Sequence, residues 1–257
     1  MKKIIYLLSL VLFAGVTLIS CEKDDDSEPQ EKKLVPIKIT EYEDGVLDDE
    51  TIYEYDENNK PSKVDYGDGY YNTFEYNSDG RLITTKVYED DSLYKYETYE
   101  YNSTDQVIKI QSYDKDGDAK SYYEHEYDTE GNVIKKSQYN LSGTLVLYFT
   151  FTYDMNGNML SQKYFWVDYL TGEVSTEKYE EWILTYDDKN NIFKSVEMPF
   201  LWDTRVNNSL SSTYTEHYGD NYSETYNTEY IYNEDNYPTE FTEVDDGERH
   251  VIEYKEI

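Results

Sequence analysis

Apolar and polar positions alternate with a period of two along most of the chain beyond residue 34. In Leu145-Val-Leu-Tyr-Phe-Thr-Phe-Thr-Tyr153, the residues Leu145, Leu147, Phe149, Phe151 and Tyr153 fall on one side, while Tyr148, Thr150 and Thr152 fall on the other. Successive side chains of an extended strand point to opposite faces, so this run predicts a strand with one drier face. Ala119-Lys-Ser-Tyr-Tyr-Glu-His-Glu-Tyr127 and Leu93-Tyr-Lys-Tyr-Glu-Thr-Tyr-Glu-Tyr101 have the same β-rich make-up, and no competing helical period is present.

The strands are punctuated by one recurring turn. Tyr55-Asp-Glu-Asn-Asn, Tyr76-Asn-Ser-Asp-Gly, Tyr101-Asn-Ser-Thr-Asp, Tyr127-Asp-Thr-Glu-Gly, Tyr153-Asp-Met-Asn-Gly, Tyr186-Asp-Asp-Lys-Asn and Tyr232-Asn-Glu-Asp-Asn share a grammar, at intervals of 21, 25, 26, 26, 33 and 46 residues. Asp or Asn after the tyrosine can bond its own backbone two residues on, and Gly or Asn in fifth place (Gly80, Gly131, Gly157, Asn190) tolerates a positive φ. Hairpin loops of three to five residues are expected. A second turn falls about halfway through most periods, as at Tyr113-Asp-Lys-Asp-Gly, so each period supplies two strands and two turns. The expectation is an all-β fold: a long antiparallel meander of about 15–17 strands. A sheet of that size left open would twist strongly and expose two edges, which favours a closed barrel or a curled sheet. Charge on both faces of strands such as Leu93–Tyr101 argues for a soluble sheet rather than a membrane-spanning one, which needs an apolar outward band.

Composition changes the picture in one respect. Aliphatic residues are scarce and the net charge is −32, a combination that ordinarily signals disorder, but 32 regularly spaced tyrosines can supply the buried area instead. The same charge makes nucleic acid an improbable partner and opposes flat binding to anionic lipid.

The repeats Tyr76-Asn-Ser-Asp-Gly-Arg-Leu-Ile-Thr and Tyr127-Asp-Thr-Glu-Gly-Asn-Val-Ile-Lys are similar to the YD repeats of RHS proteins, whose sheets spiral into hollow shells. The chain lacks the great length of those proteins, so encapsulation of a toxin is not implied. The N-terminus carries its own signal: Lys2 and Lys3, an apolar run from Ile4 to Ile19, then Ser20 and Cys21, the only cysteine. Leu18-Ile19-Ser20-Cys21 resembles the lipobox of bacterial lipoproteins, which implies a signal peptide over residues 1–20 and lipid on Cys21. Two or three acyl chains give stable attachment where one does not. Residues 21–33 read as an acidic, solvated tether, and Cys21-Glu-Lys-Asp-Asp-Asp resembles the surface-export signal of Bacteroidetes lipoproteins. Together, anchor and repeats resemble uncharacterised Bacteroidetes surface lipoproteins with a porin-like β fold. Residues 34–257 are expected to form a single β-repeat domain held at the outer membrane, exposed on the cell surface.

Candidate chemistry is sparse. His125, His217 and His250 are few and scattered in sequence, so no metal site is expected from them. Asp114-Lys-Asp-Gly-Asp118 departs from a calcium loop in the place of its Gly and is read as a hairpin turn; calcium among the acidic turns is the one cofactor left open. No grammar for nucleophilic or acid–base catalysis stands out, so the chain is not expected to be an enzyme. Trp166 and Trp182, with Tyr164 and Phe165, offer stacking faces for a ligand, and Trp202 lies in the irregular segment Val196–Leu210, which is either a functional loop or an apolar plug over a barrel mouth. Ser92 lies in Asp91-Ser92-Leu93, a short O-glycosylation pattern. The leading expectation is a surface binding or adhesion module for glycan or protein. The alternatives are an accessory subunit of an outer-membrane uptake complex and, behind it, a glycoside-processing enzyme.

Overall fold

The computed structural model describes residues 32–168, 171–196 and 206–257, without the side chains of 175–178. Cys21 and Trp202 lie outside the described residues. Within them the chain forms sixteen strands: β1 (Leu34–Glu43), β2 (Val46–Tyr55), β3 (Pro61–Asp65), β4 (Tyr71–Tyr76), β5 (Leu82–Glu89), β6 (Ser92–Tyr101), β7 (Val107–Asp114) and β8 (Ala119–Tyr127) make one half. The other half is β9 (Val133–Asn140), β10 (Leu145–Tyr153), β11 (Met159–Val167), β12 (Val174–Tyr186), β13 (Ser209–Glu216), β14 (Ser223–Tyr232), β15 (Pro238–Glu243) and β16 (Glu248–Glu256). Every strand pairs antiparallel with its neighbours in sequence, and β1 pairs with β16, so the meander closes into a barrel and no edge is left. The open choice between barrel and curled sheet is thereby resolved.

All seven repeat turns fall between an even strand and the next odd one, and so lie on one rim. Their chemistry is local and uniform. In the turn after β10, the Asp154 carboxylate accepts the Asn156 and Asn158 N–H groups at 2.8 and 2.9 Å, while the Asp154 N–H donates to the Asn158 carbonyl at 2.9 Å. The fifth-place residue takes a left-handed conformation whether it is Gly80 (φ 78°) or a side chain that tolerates it, as in Asn59 (59°), Asp105 (64°) and Asn236 (61°).

The tyrosine that opens each repeat ends an even strand, and in six of the seven it reaches across to the start of the preceding odd one; the last, Tyr232, donates to the Asp187 carboxylate. Tyr101 Oη donates to the Leu82 carbonyl at 2.8 Å, Tyr127 to Val107 at 2.7 Å and Tyr153 to Val133 at 2.8 Å. Tyr55, Tyr76 and Tyr186 do the same to Pro36, Pro61 and Met159. Each odd strand also carries a register shift at its start, where one residue is unpaired and the strand bends. The repeat thus encodes a ring of tyrosine hydroxyls that ties one hairpin arm to the other around one rim.

The sixth repeat, at Tyr186, departs from the rest. Asn190 does not adopt a positive φ, and the partner of Asp187 is not Asn191 but Asn208: the Asp187 N–H donates to the Asn208 carbonyl, and Asn208 N–H and Nδ2 donate back to the Asp187 carboxylate at 3.0 and 3.1 Å. Those bonds repeat the Asp154–Asn158 set, so a segment has been inserted inside an otherwise ordinary turn. From it, Phe193 and Val196 pack on a cluster of Val64, Phe74, Leu82, Tyr99, Val107 and Ile110, contributed by β3 to β7. Those strands form the wall opposite β12 and β13, so the described start of the inserted segment, residues 188–196, reaches across the lumen and plugs this rim. The face carrying the cluster is therefore the inner one, and alternation assigns the rest.

The outer face is polar and ionic. Lys63 pairs with Asp65, Lys86 with Glu75, Lys109 with Glu100, Lys135 with Glu126 and Lys163 with Glu181. Aromatic cross-strand pairs lie beside them: Tyr71–Tyr88, Tyr96–Tyr113, Tyr122–Tyr139 and Tyr148–Phe165 stack with ring centroids 4.6 to 5.1 Å apart.

Candidate functional site

The inner wall differs between its two halves. Strands β3 to β7 fill their share of the lumen with the cluster and the plug. Strands β11 to β15 leave a cavity of about 690 Å³, floored by Asn191, Ile192 and Phe193 of the inserted segment. Its walls are aromatic and polar: Trp182 from β12, Tyr226 and Tyr230 from β14, and Phe241 from β15, with Gln162, Asn208, Glu243 and Asp246 between them. Period-two alternation explains the selection. Gln162 faces Trp182, which faces Tyr214, and all three lie on the inner side of adjacent strands.

Trp182 is tilted against Tyr214, with centroids 4.9 Å apart, and near-parallel to Tyr226 at 6.1 Å. Burial, with hydrogen bonds donated to Glu180 and Glu216, raises the pKa of the Tyr214 hydroxyl well above its usual range. Tyr226 donates to Glu224 at 2.8 Å, and that bond pushes its pKa up to about 12. The Glu243 carboxyl is raised by burial.

A second, shallower depression of about 820 Å³ opens at the rim opposite the plug, between the β11–β12 and β13–β14 loops. Trp166, Asp168, Glu173, Tyr218 and Gly219 line it. Trp166 is 37% exposed and meets both Tyr164 and Tyr218 edge-on, at 4.4 and 5.6 Å. Beneath it Glu180 and Glu216 stand directly opposite one another on β12 and β13, where Tyr218 donates to Glu180 at 3.3 Å and Tyr214 to Glu216 at 3.1 Å. A lumenal surface of aromatic faces and hydrogen-bonded acids suits a ligand with planar or ring surfaces and several hydroxyl or amine donors.

The structure therefore separates the residues grouped by the sequence. Trp182 lines the cavity, and Trp166 with Tyr164 lies further along the same inner wall. Phe165 points outward, stacking on Tyr148 and tilting against Tyr179, because adjacent strand residues face opposite ways. Ser92 is exposed at the start of β6, immediately after a tight turn at Asp90 and Asp91. Asp114 forms the expected hairpin turn, accepting the Asp116 and Asp118 N–H groups, and also pairs with Lys120. Sequence reading missed the tyrosines of β14, whose inward placement depends on register around the barrel. It also missed the grouping of His250 with Glu243 and Glu248, which only the β15–β16 hairpin creates.

No family model matches the sequence, and no curated protein does. Among solved structures the chain is similar to a porin-like protein from Bacteroides vulgatus ATCC 8482, at 11% identity and a TM-score of 0.49, covering 86% of this chain and 98% of that one. A porin-like protein from Bacteroides uniformis ATCC 8492 matches at 13% identity and a TM-score of 0.34, with the same coverage. A chain of the TcdB2-TccC3-Cdc42 complex matches 81% of this chain at 13% identity and a TM-score of 0.33; this chain spans 10% of its length. No activity is carried over from any of them.

Proposed function

We propose that this protein is a lipid-anchored binding module of the outer cell surface, and that it holds a glycan in the cavity bounded by β11 to β15. The cavity itself carries the reading. At about 690 Å³ it falls within the size range of small-ligand sites, it is closed at one end by the plug, and it offers Trp182, Tyr226, Tyr230 and Phe241 as stacking faces beside carboxylate and amide acceptors. Sugar rings present apolar faces edged by hydroxyl donors, which is the complement of that lining. The lipobox-like Leu18–Cys21 supports attachment through acyl chains. The ion-paired outer face supports a barrel that stands outside the bilayer, because a spanning barrel needs an apolar band in place of those lysines and glutamates. The reading excludes neither face of the lumen from a protein ligand, so a glycan array is paired with a pull-down from outer-membrane extract. Binding of a defined glycan that falls at least tenfold in Trp182→Ala, a loss of about 1.4 kcal/mol or more, is the expected result. An array that stays blank with folded protein overturns the glycan assignment.

One observation favours a second reading, an accessory subunit of an uptake complex. Ile83, Ile108, Ile134, Leu160 and Leu210 occupy the same bulge position on β5, β7, β9, β11 and β13, and all are exposed on the outer face. Co-purification of a transporter with the native lipidated chain, lost on replacing these residues by serine, is its test.

A further inference from the structure

At the seam where the barrel closes, inward side chains of three strands form a donor set that the aromatic cavity does not account for. Strands β15 and β16 place Glu243 opposite Glu248 and Phe241 opposite His250, and β1 places Glu41 on the other side of His250. One donor atom from each of Glu243, Glu248 and His250 lies within 4.8 Å of the other two. In a chain with 55 acidic residues, two close carboxylates alone would mean little. The imidazole changes that. His250 is 8% exposed, and its Nε2 is shielded from solvent with no hydrogen-bond partner, 3.9 Å from Glu243 Oε1. Its other nitrogen, Nδ1, stands 3.7 Å from Glu41 Oε2, and its ring lies nearly parallel to Phe241 with centroids 4.2 Å apart. The ring is thus held in one plane with an unsatisfied nitrogen beside the Glu243 carboxylate, in a group whose donor atoms all lie within 4.8 Å of one another. Buried polar atoms are normally paired, so this one asks for a partner.

We propose that Glu243, Glu248 and His250 Nε2 bind a divalent transition-metal ion, with zinc as the best match. One imidazole with two carboxylates is a mixed nitrogen and oxygen set, which suits zinc or manganese and departs from the all-oxygen shells of calcium and magnesium. Glu41 then has the role of an outer carboxylate that accepts the Nδ1–H of the ligating histidine and fixes its tautomer. Three protein ligands leave one position of a tetrahedral ion free, and Glu243 also borders the cavity, so the ion sits in its wall. Metal binding here stands whether or not the cavity holds a glycan.

The test uses the full chain, treated with chelator and titrated with Zn²⁺ by calorimetry and with Co²⁺ by visible absorption. One tight equivalent of Zn²⁺ per chain is expected, with a Co²⁺ ligand-field band. Glu248→Gln should weaken Zn²⁺ at least tenfold and Glu41→Gln by roughly 10–100-fold, the usual effect of losing an outer partner. Glu240→Gln, which removes an acid paired with Arg249 on the outer face, should leave binding unchanged. Because losing the ring could disturb the stack on Phe241, His250→Phe serves as the histidine variant: it should keep the unfolding midpoint and lose the Co²⁺ band. Absence of a stoichiometric Zn²⁺ site in the parent chain, or its survival in both Glu248→Gln and His250→Phe, overturns the proposal.

Discussion

Tyrosine does two kinds of work at the scale of the single residue. On the outer face its rings stack in cross-strand pairs; on the inner face the repeat tyrosines spend their hydroxyls on backbone carbonyls at strand starts. The ring survives without the hydroxyl, but the carbonyl loses its donor. Tyr101→Phe should therefore cost about 0.5–1.5 kcal/mol, the net worth of one such bond, read as a lowered urea midpoint with an unchanged slope. Lys136 shows the opposite economy. It lies inward opposite His125, over the Tyr123 ring at 4.1 Å, and burial lowers its pKa from 10.5 to about 7. The unfolded chain holds that proton below pH 10.5 and the folded chain holds it only below about 7, so protonation favours unfolding progressively as pH falls through that window. Lys136→Met, which keeps the length without the charge, should match the parent chain near pH 10.5 and exceed it by about 1–4 kcal/mol at pH 6. A stability difference that does not widen between those pH values would sink this account. His125 acts in the same sense, its pKa lowered to about 4 chiefly by burial, so acidification below 6.5 adds to the loss.

Elements built from local chemistry were legible in the sequence, and those built from distant contacts were not. The turn after Tyr153 could be read from Asp154 and Gly157 because the bonds from Asp154 that close it lie within five residues. The same grammar misled at Tyr186, where Asp187 keeps its role but Asn208 takes the place of Asn191. Nothing local distinguishes the two asparagines. Phe165 was grouped with Trp166 for being adjacent, although adjacency in a strand places residues on opposite faces. His250 was set aside because it was compared with other histidines, whereas its neighbours are carboxylates brought in by hairpin register. The inserted segment is the element whose removal tests the plug. Phe193 meets Tyr53 with centroids 5.6 Å apart and packs on the β3–β7 cluster, so Phe193→Ala opens a hole between opposite walls. A loss of about 2–4 kcal/mol is expected, measured by chemical unfolding, somewhat below the range for a fully enclosed phenylalanine. An unchanged midpoint would show that the segment only rests on the lumen.

For the whole molecule, closure explains how so acidic a chain holds together with few aliphatic residues. The barrel has no unpaired edge, and its buried hydrophobic side chains gather in a larger cluster on β3 to β7 with the plug and a smaller one of Phe151, Met159 and Leu184 on β10 to β12, beside which the lumen is hollow and polar. The β3–β7 wall carries the larger share of the apolar packing, and the β11–β15 wall combines a smaller apolar cluster with the aromatic and acidic lining of a site.

The join between β1 and β16 also has a consequence in time. Fifteen of the sixteen strand pairings connect neighbours in sequence and can form as independent hairpins soon after their residues are available. The sixteenth unites Leu34 with Glu256 and brings the Ile257 N–H onto the Lys33 carbonyl at 3.0 Å, closing a loop of nearly the full chain. A protein emerging N-terminus first must therefore keep β1 waiting, with its pairing edge bare, until the last strand arrives. Pro36 and the register shift beside it interrupt that edge, so the strand that waits longest is also the one least able to recruit the wrong partner.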